Sequence, residues 1–410
     1  MGATQIVTVS AGARTAVRPV DGELAGWNPV VLAGVVGREV LERAGLDAGV
    51  LDEVVVGCCD PVGAAGADVA RAVVLAAGWP VSIGGSVVDR GETSGAAAVQ
   101  AAVAAIRAGQ ARTVLVVGLG LCSVVPPGAA ALNRTYGAPW GGVAERFEEV
   151  GGLLPAPRLS ERAAQAAGIG RTELDAAAEE CRRRRAEAET SPAIVAVAAR
   201  PGDAAGRGVY RGDPVATDVV RDWGDAAELP PAFDDDGLLT AATFAPPADC
   251  VTAVLLQAGF EAQAPDGTTT MAESETPDGT TTMAESETPD GTTTVAGMGR
   301  AAGDPSDPVG NVAVAVGRAL DDAGVELAAV EAISVVEHDA ATALLVARAL
   351  DIDAERINRD GGAVATGNAG AAEELRLITD GLAVTGGQRL LLTISAGPTG
   401  SATIVWQTDI

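Results

Sequence analysis

The feature that most constrains the fold of this chain is an alternation of short β-branched segments with longer helical patterns. Val54-Val55-Val56 and Val114-Leu115-Val116-Val117 are typical strand segments. The stretches 29–44 and 96–108, which precede them, have the apolar spacing of helices. This order is typical of proteins in which helices cover a largely buried sheet, so we predict an α/β fold.

A low-complexity segment divides this pattern into two parts. Residues 265–294 contain Pro-Asp-Gly-Thr-Thr-Thr-Met-Ala-Glu-Ser-Glu-Thr twice and then begin a third copy. Because the segment is polar, acidic and rich in turn-forming residues, it cannot bury enough apolar area to offset the entropy lost on ordering. We predict a disordered linker over residues 263–295, either a tolerated surface insertion or a docking segment for a partner.

The part after the linker repeats the strand and helix pattern of the first part in a shorter form. The spacing predicts helices over 312–323 and 340–350 and strands over 332–336 and 390–395. In the first part, residues 124–228 are too long for a structureless loop and contain a helical pattern from Leu159 to Ala188, which indicates an inserted lobe covering an active-site entrance. The predicted domains are an N-terminal core half (1–123 and 229–262), the inserted loop domain (124–228), the linker (263–295) and a C-terminal core half (296–410).

Charge and residue usage exclude several functions. The formal net charge is −27, so a nucleic acid or an anionic membrane surface would repel the chain. The sequence has no lysine, which excludes Schiff-base chemistry and a P-loop lysine, and its single histidine, His338, excludes multi-histidine metal sites. Five cysteines without a CxxC pair, and no apolar leader, lead us to expect reduced thiols in the cytoplasm.

Four stretches in the right order resemble the thiolase family, the acetyl-CoA acetyltransferase and sterol-carrier-type thiolase group. The stretches are Ala11 to Thr15 with Gly22 to Ala25, Ala167 to Asp175 with Arg184 to Ala188, Leu229 to Phe233 with Asp236-Gly237, Thr240-Ala241 and Asp249, and Asn358 with Gly361 to Gly367. The resemblance implies two similar βαβ halves in a layered αβαβα arrangement with an inserted loop domain. It also implies a homodimer or tetramer.

The resemblance places the family's nucleophilic cysteine on Glu92, in the stretch Val88-Asp89-Arg90-Gly91-Glu92-Thr93-Ser94-Gly95. A carboxylate at a helix start is stabilised as the anion by the helix dipole. Glu92 is a general base for an α-carbon, an electrostatic partner for a cation, or a filler that holds the helix end. Thr93 and Ser94 are alternative hydroxyl nucleophiles or helix caps. A displaced nucleophile would require Cys58, Cys59 or Cys122 to enter the site.

Three further positions carry the remaining chemistry that the resemblance implies. The family's activating histidine falls on Asn368, and His338 in Glu337-His338-Asp339-Ala340 matches an oxyanion-hole position, although a solitary histidine is as easily structural. His338 and Asn368 together would form a paired oxyanion site, because an amide donates to a thioester oxygen but cannot take a thiol proton. The family's second cysteine falls on Ile394 or Ser395, and Ser395 is a poor base.

Binding residues are implied by the same resemblance. The loop near the thioester is altered to Phe244-Ala245-Pro246-Pro247, which leaves Ala245 and Gly367 as the matched positions for pantetheine. Arg182, Arg183 and Arg184, together with Arg185, lie where the family meets the nucleotide end of CoA and could bind phosphates. The alternative is a solvated face that pairs with Glu179, Glu180 and Glu187 at helical spacing.

The predicted function is that of a thiolase-like protein that binds an acyl thioester. The favoured hypothesis is an acyltransferase-family enzyme that stabilises an enolate or oxyanion in Claisen-type carbon–carbon chemistry without a cysteine acyl-enzyme. The alternative is an inactive thiolase-like subunit that stabilises a partner, such as an accessory chain or a second thiolase-like subunit. We expect no metal and no permanently bound cofactor, with CoA or carrier-protein phosphopantetheine entering as part of the substrate.

Overall fold

The computed structural model describes most of the two predicted core halves. The described residues are 5–132, 137, 142–150, 154–198, 214–215, 217–220, 222–259, 293–382, 389–398 and 400–408. Nearly all of the predicted linker lies outside the described residues. A strand, Thr293–Ala301, includes the last three residues of the predicted linker, so the second half begins earlier than the low-complexity pattern suggests.

The N-terminal half contains the predicted strands and helices in the predicted order. Its elements before the insertion are β1 (Val7–Arg14), β2 (Arg18–Pro19), α1 (Pro29–Arg43), β3 (Glu53–Cys58), α2 (Val69–Ala76), β4 (Gly84–Val88), α3 (Ser94–Arg107) and β5 (Thr113–Leu121). Helix α1 begins where it does because the Asn28 side chain accepts a hydrogen bond from the backbone N–H of Val30 at 2.9 Å, and Pro29 fits the first helical position.

The inserted segment is helical in its described parts, with one short sheet. Its elements are α4 (Ala129–Leu132), α5 (Ala156–Ala166), α6 (Arg171–Glu187), β6 (Val197–Ala198) and β7 (Pro214–Val215). The helical pattern from Leu159 to Ala188 is therefore two helices. The break falls at Gly168, whose φ of +71° favours glycine and ends α5.

The C-terminal half follows β8 (Ala248–Ala258), the last strand of the N-terminal half. Its elements are β9 (Thr293–Ala301), α7 (Val312–Ala323), β10 (Ala332–Val335), α8 (Ala340–Ala349), α9 (Ala363–Thr366), α10 (Ala371–Leu382), β11 (Arg389–Gly397) and β12 (Gly400–Thr408). The helices and strands predicted over 312–323, 332–336, 340–350 and 390–395 are confirmed.

The strands of the two halves form one continuous mixed sheet, in which the N-terminal part (β1, β8, β5, β3 and β4), the first sheet, joins the C-terminal part (β9, β12, β11 and β10), the second sheet. The order is β10-β11-β12-β9-β1-β8-β5-β3-β4. The halves join through β1 and β9, which pair only at Thr8 with Thr294 and Val9 with Thr293. Strands β3, β4 and β5 run parallel, as do β10 and β11, whereas β1, β8, β9 and β12 pair antiparallel with their neighbours.

The two halves have the same topology, with one strand reduced in the second. Strands β9, β10, β11 and β12 take the places of β1, β3, β5 and β8, and α10 takes the place of α3. Where β4 pairs with β3 in the first half, Ile357 forms a single parallel bridge with Ile333 of β10. The shorter second half that the sequence pattern indicates therefore lacks a full edge strand.

Helices α3 and α10 form the middle layer between the two sheets. Val99 and Val103 of α3 share one buried cluster with Leu375 and Ile378 of α10 and with Trp406 of β12. On the outer faces, α1 and α2 cover the first sheet and α7 and α8 cover the second. This arrangement confirms the predicted layered αβαβα fold.

Glycines in β5 allow α10 to start directly on the first sheet. A Cβ on Gly120 would collide with the carbonyl oxygen of Ala369, and a Cβ on Gly118 would collide with the carbonyl oxygen of Ala371. Both partners are backbone atoms and cannot move aside easily. The start of α10 is therefore fixed against the N-terminal half.

The inserted helices pack on the C-terminal half. Helices α5 and α6 contact α8, and α6 also contacts α9. A buried ion-pair network adds a second attachment: Arg14 of β1 binds Asp218 at 2.8 Å and Asp380 of α10 at 2.8 Å. Burial alone would raise the pKa of Asp218, but Arg14 lowers that pKa to about 2. The charged pairs thus hold the insertion, β1 and α10 together.

Within the described ranges no helix is both long enough and apolar enough to span a bilayer. Nor does this part of the chain bring together three or more His, Cys, Asp or Glu side chains in a way that could hold a metal ion.

Candidate active site

The four residues predicted to be catalytic lie together where the two halves meet. Glu92 precedes α3 and Asn368 precedes α10, the two helices of the middle layer. His338 follows β10, and Ser395 lies near the end of β11. The strand ends and helix starts of both halves therefore supply one site, although the four residues are far apart in sequence.

Glu92 is anchored against the end of β11. The Ser395 hydroxyl donates to the Glu92 carbonyl oxygen at 3.0 Å, and Ser395 is only 1% exposed. A Cβ on Gly397 would lie 3.2 Å from Cβ, Cγ and Cδ of Glu92, so the Glu92 side chain extends along this glycine. The absence of a side chain at Gly397 is what leaves room for the carboxylate. Glu92 itself is partly buried.

His338 contacts the same stretch of β11. Its Nε2 lies 3.1 Å from the carbonyl oxygen of Ala396, the neighbour of Gly397. Since a carbonyl only accepts, this contact requires the tautomer with hydrogen on Nε2, which we assign from the hydrogen-bond network. His338 Nδ1 is then an acceptor, and it faces Asn368 Nδ2 at 3.5 Å. The imidazole is thus presented with an N–H towards the stretch that Glu92 covers.

The side-chain amide of Asn368 forms hydrogen bonds with other groups of the protein. Its Nδ2 donates to the Glu337 carbonyl oxygen at 2.9 Å and makes the longer contact to His338. Its Oδ1 accepts from the backbone N–H of Gly370 at 2.7 Å. His338 and Asn368 are therefore adjacent, as the paired oxyanion site requires, but both amide hydrogens of Asn368 already point at protein acceptors.

Ala245 and Gly367 lie in the backbone wall beside this pair. The N–H of Ala245 donates to the carbonyl oxygen of His338 at 3.0 Å, and the N–H of Asn368 donates to the carbonyl oxygen of Pro246 at 2.8 Å. Gly367 has a φ of +110°, and a Cβ there would meet Ala248 Cβ at 2.7 Å. The segment 245–248 therefore holds the two turns that carry His338 and Asn368, and a pantetheine contact there stays a prediction.

Comparison with known proteins agrees with this architecture. The family described as Thiolase, N-terminal domain, matches residues 6–259, and the family described as Thiolase, C-terminal domain, matches residues 291–407. An acetyl-CoA acetyltransferase of Pseudomonas aeruginosa is 30% identical over 391 residues, which cover 91% of each chain. The chain belongs to the thiolase family.

Two further thiolases show how widely the similarity extends. A 3-ketoacyl-CoA thiolase of Bacillus subtilis is 28% identical over 376 residues, covering 88% of each chain. The crystal structure of human mitochondrial 3-ketoacyl-CoA thiolase superposes with a TM-score of 0.78 at 20% identity and covers 99% of each chain. The latter similarity supports the thiolase fold, and the predicted fold and family are confirmed.

The arginine side chains at positions 182–184 interact with groups of the protein itself. Arg182 is buried and donates to the Ala242 carbonyl oxygen at 2.7 Å. Arg183 pairs with Glu180 at 2.7 Å and with Glu187 at 2.5 Å, and Arg184 pairs with Glu180 at 2.7 Å. The structure therefore favours the alternative of helical ion pairing for this run. Arg182 is directed into the protein, away from any solvent-borne nucleotide.

Of the three cysteines considered as displaced nucleophiles, Cys59 has its thiol at the site. Cys59 follows β3, and a Cβ on Gly370 would lie 3.4 Å from its Sγ. Burial raises the pKa of the Cys59 thiol well above its ordinary value, and the charges of Glu92 and Glu374 raise the pKa further, although a Ser94 hydrogen bond lowers it. The thiol at the site is therefore held in its neutral form, which is a weak nucleophile.

The other two cysteines considered as displaced nucleophiles are also held as thiols. Burial raises the pKa of Cys58 to about 11 and that of Cys122 to about 12. Both thiols are buried, and the charge of Asp249 raises the pKa of Cys122 further.

Glu374 is the site residue that sequence reasoning missed. It is fully buried in α10, and its carboxylate reaches the start of α3 in the other half. The signal in the sequence was the pair Glu373-Glu374 inside an otherwise apolar helix start, because acidic residues in a buried helix require partners.

Proposed function

We propose that this thiolase binds an acyl thioester and moves a proton at the carbon next to the thioester carbonyl, without forming an acyl-enzyme on cysteine. Its relatives include an acetyl-CoA acetyltransferase and a 3-ketoacyl-CoA thiolase, whose names describe chemistry on acyl-CoA thioesters. The proposed reaction is the making or breaking of a carbon–carbon bond of the Claisen type.

The observation that carries the proposal is that a carboxylate and an imidazole N–H converge on one short stretch of β11. Glu92 lies along Gly397, and His338 Nε2 contacts the adjacent Ala396. A base and a hydrogen-bond donor at the same place are what enolate formation requires. The α-carbon proton would pass to Glu92 while the electron pair moves onto the thioester oxygen, and the His338 Nε2–H would leave the Ala396 carbonyl to donate to that oxygen.

The state of the cysteines supports the absence of an acyl-enzyme. At the start of α3 the chain carries Glu92, and the thiol that reaches the site, Cys59, is kept protonated by burial and by neighbouring carboxylates. A thiol must be ionised to attack a thioester at a useful rate. Proton transfer at carbon needs no such nucleophile.

The substrate carrier and the assembly are part of the proposal. CoA is the carrier that the relatives' names support, with a carrier-protein phosphopantetheine as the alternative. We further propose a homodimer or tetramer, as the family resemblance implies.

Deuterium exchange into acetyl-CoA tests this function directly. In D2O the wild-type protein should exchange the methyl protons of acetyl-CoA, as measured by proton NMR. Glu92→Gln should slow exchange by about 100-fold or more, since positioned acid–base groups contribute 100-fold to 10,000-fold. His338→Ala should slow it as well, because the oxygen loses its donor.

Two controls make that experiment decisive. Glu331→Gln, an exposed acid that lies 3.9 Å from Arg389, should leave the exchange rate unchanged. Equal exchange by wild type and Glu92→Gln would contradict the role of Glu92. A mass increase by one acyl group on the intact wild-type protein would show a covalent intermediate and would contradict the proposal.

A second candidate function is a non-catalytic thiolase-like subunit that stabilises a partner chain. It is favoured by the hydrogen bonding of Asn368, whose two amide hydrogens already have protein acceptors. Complete lack of exchange with acetyl-CoA and longer acyl-CoAs, together with a stable complex with another thiolase-like or accessory chain, would support it. A protein that exchanges acetyl-CoA on its own would exclude it.

A further inference from the structure

The start of helix α3 has no cap of its own. In the described part of the chain, the Thr93 side chain at the N-cap position makes no hydrogen bond to the first turn. Its hydroxyl donates to the Arg90 carbonyl oxygen at 3.1 Å instead, and the Ser94 hydroxyl donates to the Gly91 carbonyl oxygen at 2.7 Å. The backbone N–H groups of the first turn therefore need acceptors from elsewhere.

Glu374 of α10 supplies those acceptors from the opposite half. Its Oε2 accepts a hydrogen bond from the backbone N–H of Ala96, and its carboxylate also accepts from Gly95. A Cβ on Gly95 would collide with that carboxylate and with the Ala371 carbonyl oxygen, so only glycine permits this approach. The side chain is fully buried, and Oε1 lacks a hydrogen-bond partner among the described residues.

The surroundings of Glu374 set its charge. The pKa of the carboxyl is about 7, because burial raises it by more than Ser395, the two α3 N–H groups and Arg90 lower it. Cys59 at the end of β3 and Glu92 ahead of α3 are the other titratable groups here, since both Glu92 and Glu374 raise the pKa of Cys59. On α10 itself, Glu373 is paired with Arg376.

We infer that Glu374 is a positioning residue: it caps helix α3 across the interface of the two halves and thereby holds Glu92 at the site. The inference rests on the proposed function for the role of Glu92, whereas the cap itself stands on the contacts of Gly95 and Ala96. Glu374 acts through α3 and through Ser395, which donates to the Glu92 carbonyl. Because the pKa of Glu374 is raised in the folded protein, the capped state is favoured by the neutral acid, and the cap weakens as the pH rises towards 7.

Amide hydrogen exchange at the start of α3 tests the cap without reference to turnover. Site-resolved exchange mass spectrometry on the full chain would follow the N–H groups of Gly95 and Ala96 in wild type, Glu374→Met and Glu374→Gln. Methionine keeps the length but offers no oxygen acceptor, so exchange should become about tenfold faster. Glutamine keeps an acceptor and should stay within about threefold of wild type.

The pH dependence of the same measurement uses only variants that keep the acceptor. After correction for intrinsic exchange, protection of Gly95 and Ala96 should fall in wild type between pH 5 and pH 8, because ionised Glu374 is less stable in the buried, capped state, and should stay flat in Glu374→Gln. Equal protection in all three proteins, or the same pH dependence in wild type and Glu374→Gln, would overturn the cap. This result is independent of whether acetyl-CoA is a substrate.

The positioning role has its own readout in the acetyl-CoA exchange assay. The pH profile of deuterium exchange should contain a step near neutral pH that Glu374→Gln removes, and Glu374→Gln should recover most of the rate that Glu374→Met loses. A profile that Glu374→Gln leaves unchanged would overturn the positioning role. If wild type shows no exchange, the proposed function fails, and the amide measurement alone then decides whether Glu374 caps α3.

Discussion

The starts of α3 and α10 are equivalent positions in the two halves, but they are stabilised in different ways. At α10 the residue ahead of the helix, Asn368, accepts from the N–H of Gly370 with its own side chain. At α3 the N–H groups of Gly95 and Ala96, which lie within the first turn, are bound by Glu374 from the other half. Asn368 is therefore occupied by holding its own turn, whereas at α3 that task falls to Glu374.

This difference shows where chemistry fits in the site. A polar side chain that caps its own helix has its hydrogen-bonding groups committed before any ligand arrives. Glu374 satisfies the start of α3, and the Glu92 side chain extends along Gly397. The comparison favours Asn368 as a residue that orients His338, whose Nε2–H must leave the Ala396 carbonyl before it can donate to a ligand.

The largest change in stability should come from a substitution that pushes α10 away from the first sheet. Gly120→Ala would place a Cβ against the Ala369 backbone, so α10 would have to shift. We expect a loss of more than about 3 kcal/mol in the free energy of unfolding, at the upper end of overpacking effects. Urea denaturation would measure it.

A matched glycine distinguishes close packing from a general effect of helix propensity or size. Gly317 lies within α7, and a Cβ there would meet no atom within 4 Å. Gly317→Ala should therefore stabilise the protein by about 0.5–1 kcal/mol. A Gly120→Ala variant as stable as wild type would show that the start of α10 is not fixed by β5.

The next largest effect concerns the charge at the start of α3. The pKa of Glu374 is raised by burial from an ordinary 4.5 to about 7, so its neutral form favours the folded state. That contribution is complete below pH 4.5 and is lost as the pH rises to about 7. Since one pKa unit corresponds to about 1.4 kcal/mol, the loss amounts to about 3 kcal/mol at most.

Glu374→Gln isolates this contribution because glutamine does not titrate. The difference in unfolding free energy between Glu374→Gln and wild type should move in favour of the variant between pH 5 and pH 8, as measured by urea denaturation at each pH. Asp339, whose pKa burial also raises to about 7, is present in both proteins and cancels in the difference. A difference that is constant with pH would contradict the assigned titration.

The smallest effect should come from the start of α10. Asn368→Ala removes the bond to Gly370 and the bond to the Glu337 carbonyl, and we expect a loss of about 1–2 kcal/mol in the free energy of unfolding. Asn311, at the start of α7, makes no side-chain cap bond in the described structure, so Asn311→Ala should change stability by less than about 0.5 kcal/mol. Equal losses in the two variants would remove the capping role of Asn368.

The fold could be predicted from the sequence because its signal is local and repeated. Segments such as Val114 to Val117 and the helix 312–323 have apolar patterns that only one type of element satisfies. The break at Gly168 and the start of β9 at Thr293 were not predicted, because apolar spacing defines the existence of an element better than its ends.

The candidate site could be predicted only in part. Glu92, His338, Asn368 and Ser395 are brought together as the resemblance implied. The role of the arginine run was left open between two interpretations, and burial of Arg182 favours ion pairing, because burial depends on how α6 packs on the segment that contains Ala242. The entry of Cys59 was likewise left open, since its distance from Gly370 depends on the second half.

The sequence by itself determined the α/β class, the two similar halves and the carboxylate at Glu92, because these depend on residue types and their spacing. Only the tertiary structure decided that Glu374 caps a helix of the other half and that the amide hydrogens of Asn368 bind protein acceptors. It also decided that the Cys59 thiol stays neutral. The physical reason is that hydrogen bonding and burial arise between segments hundreds of residues apart, and both depend on distances that no local pattern encodes.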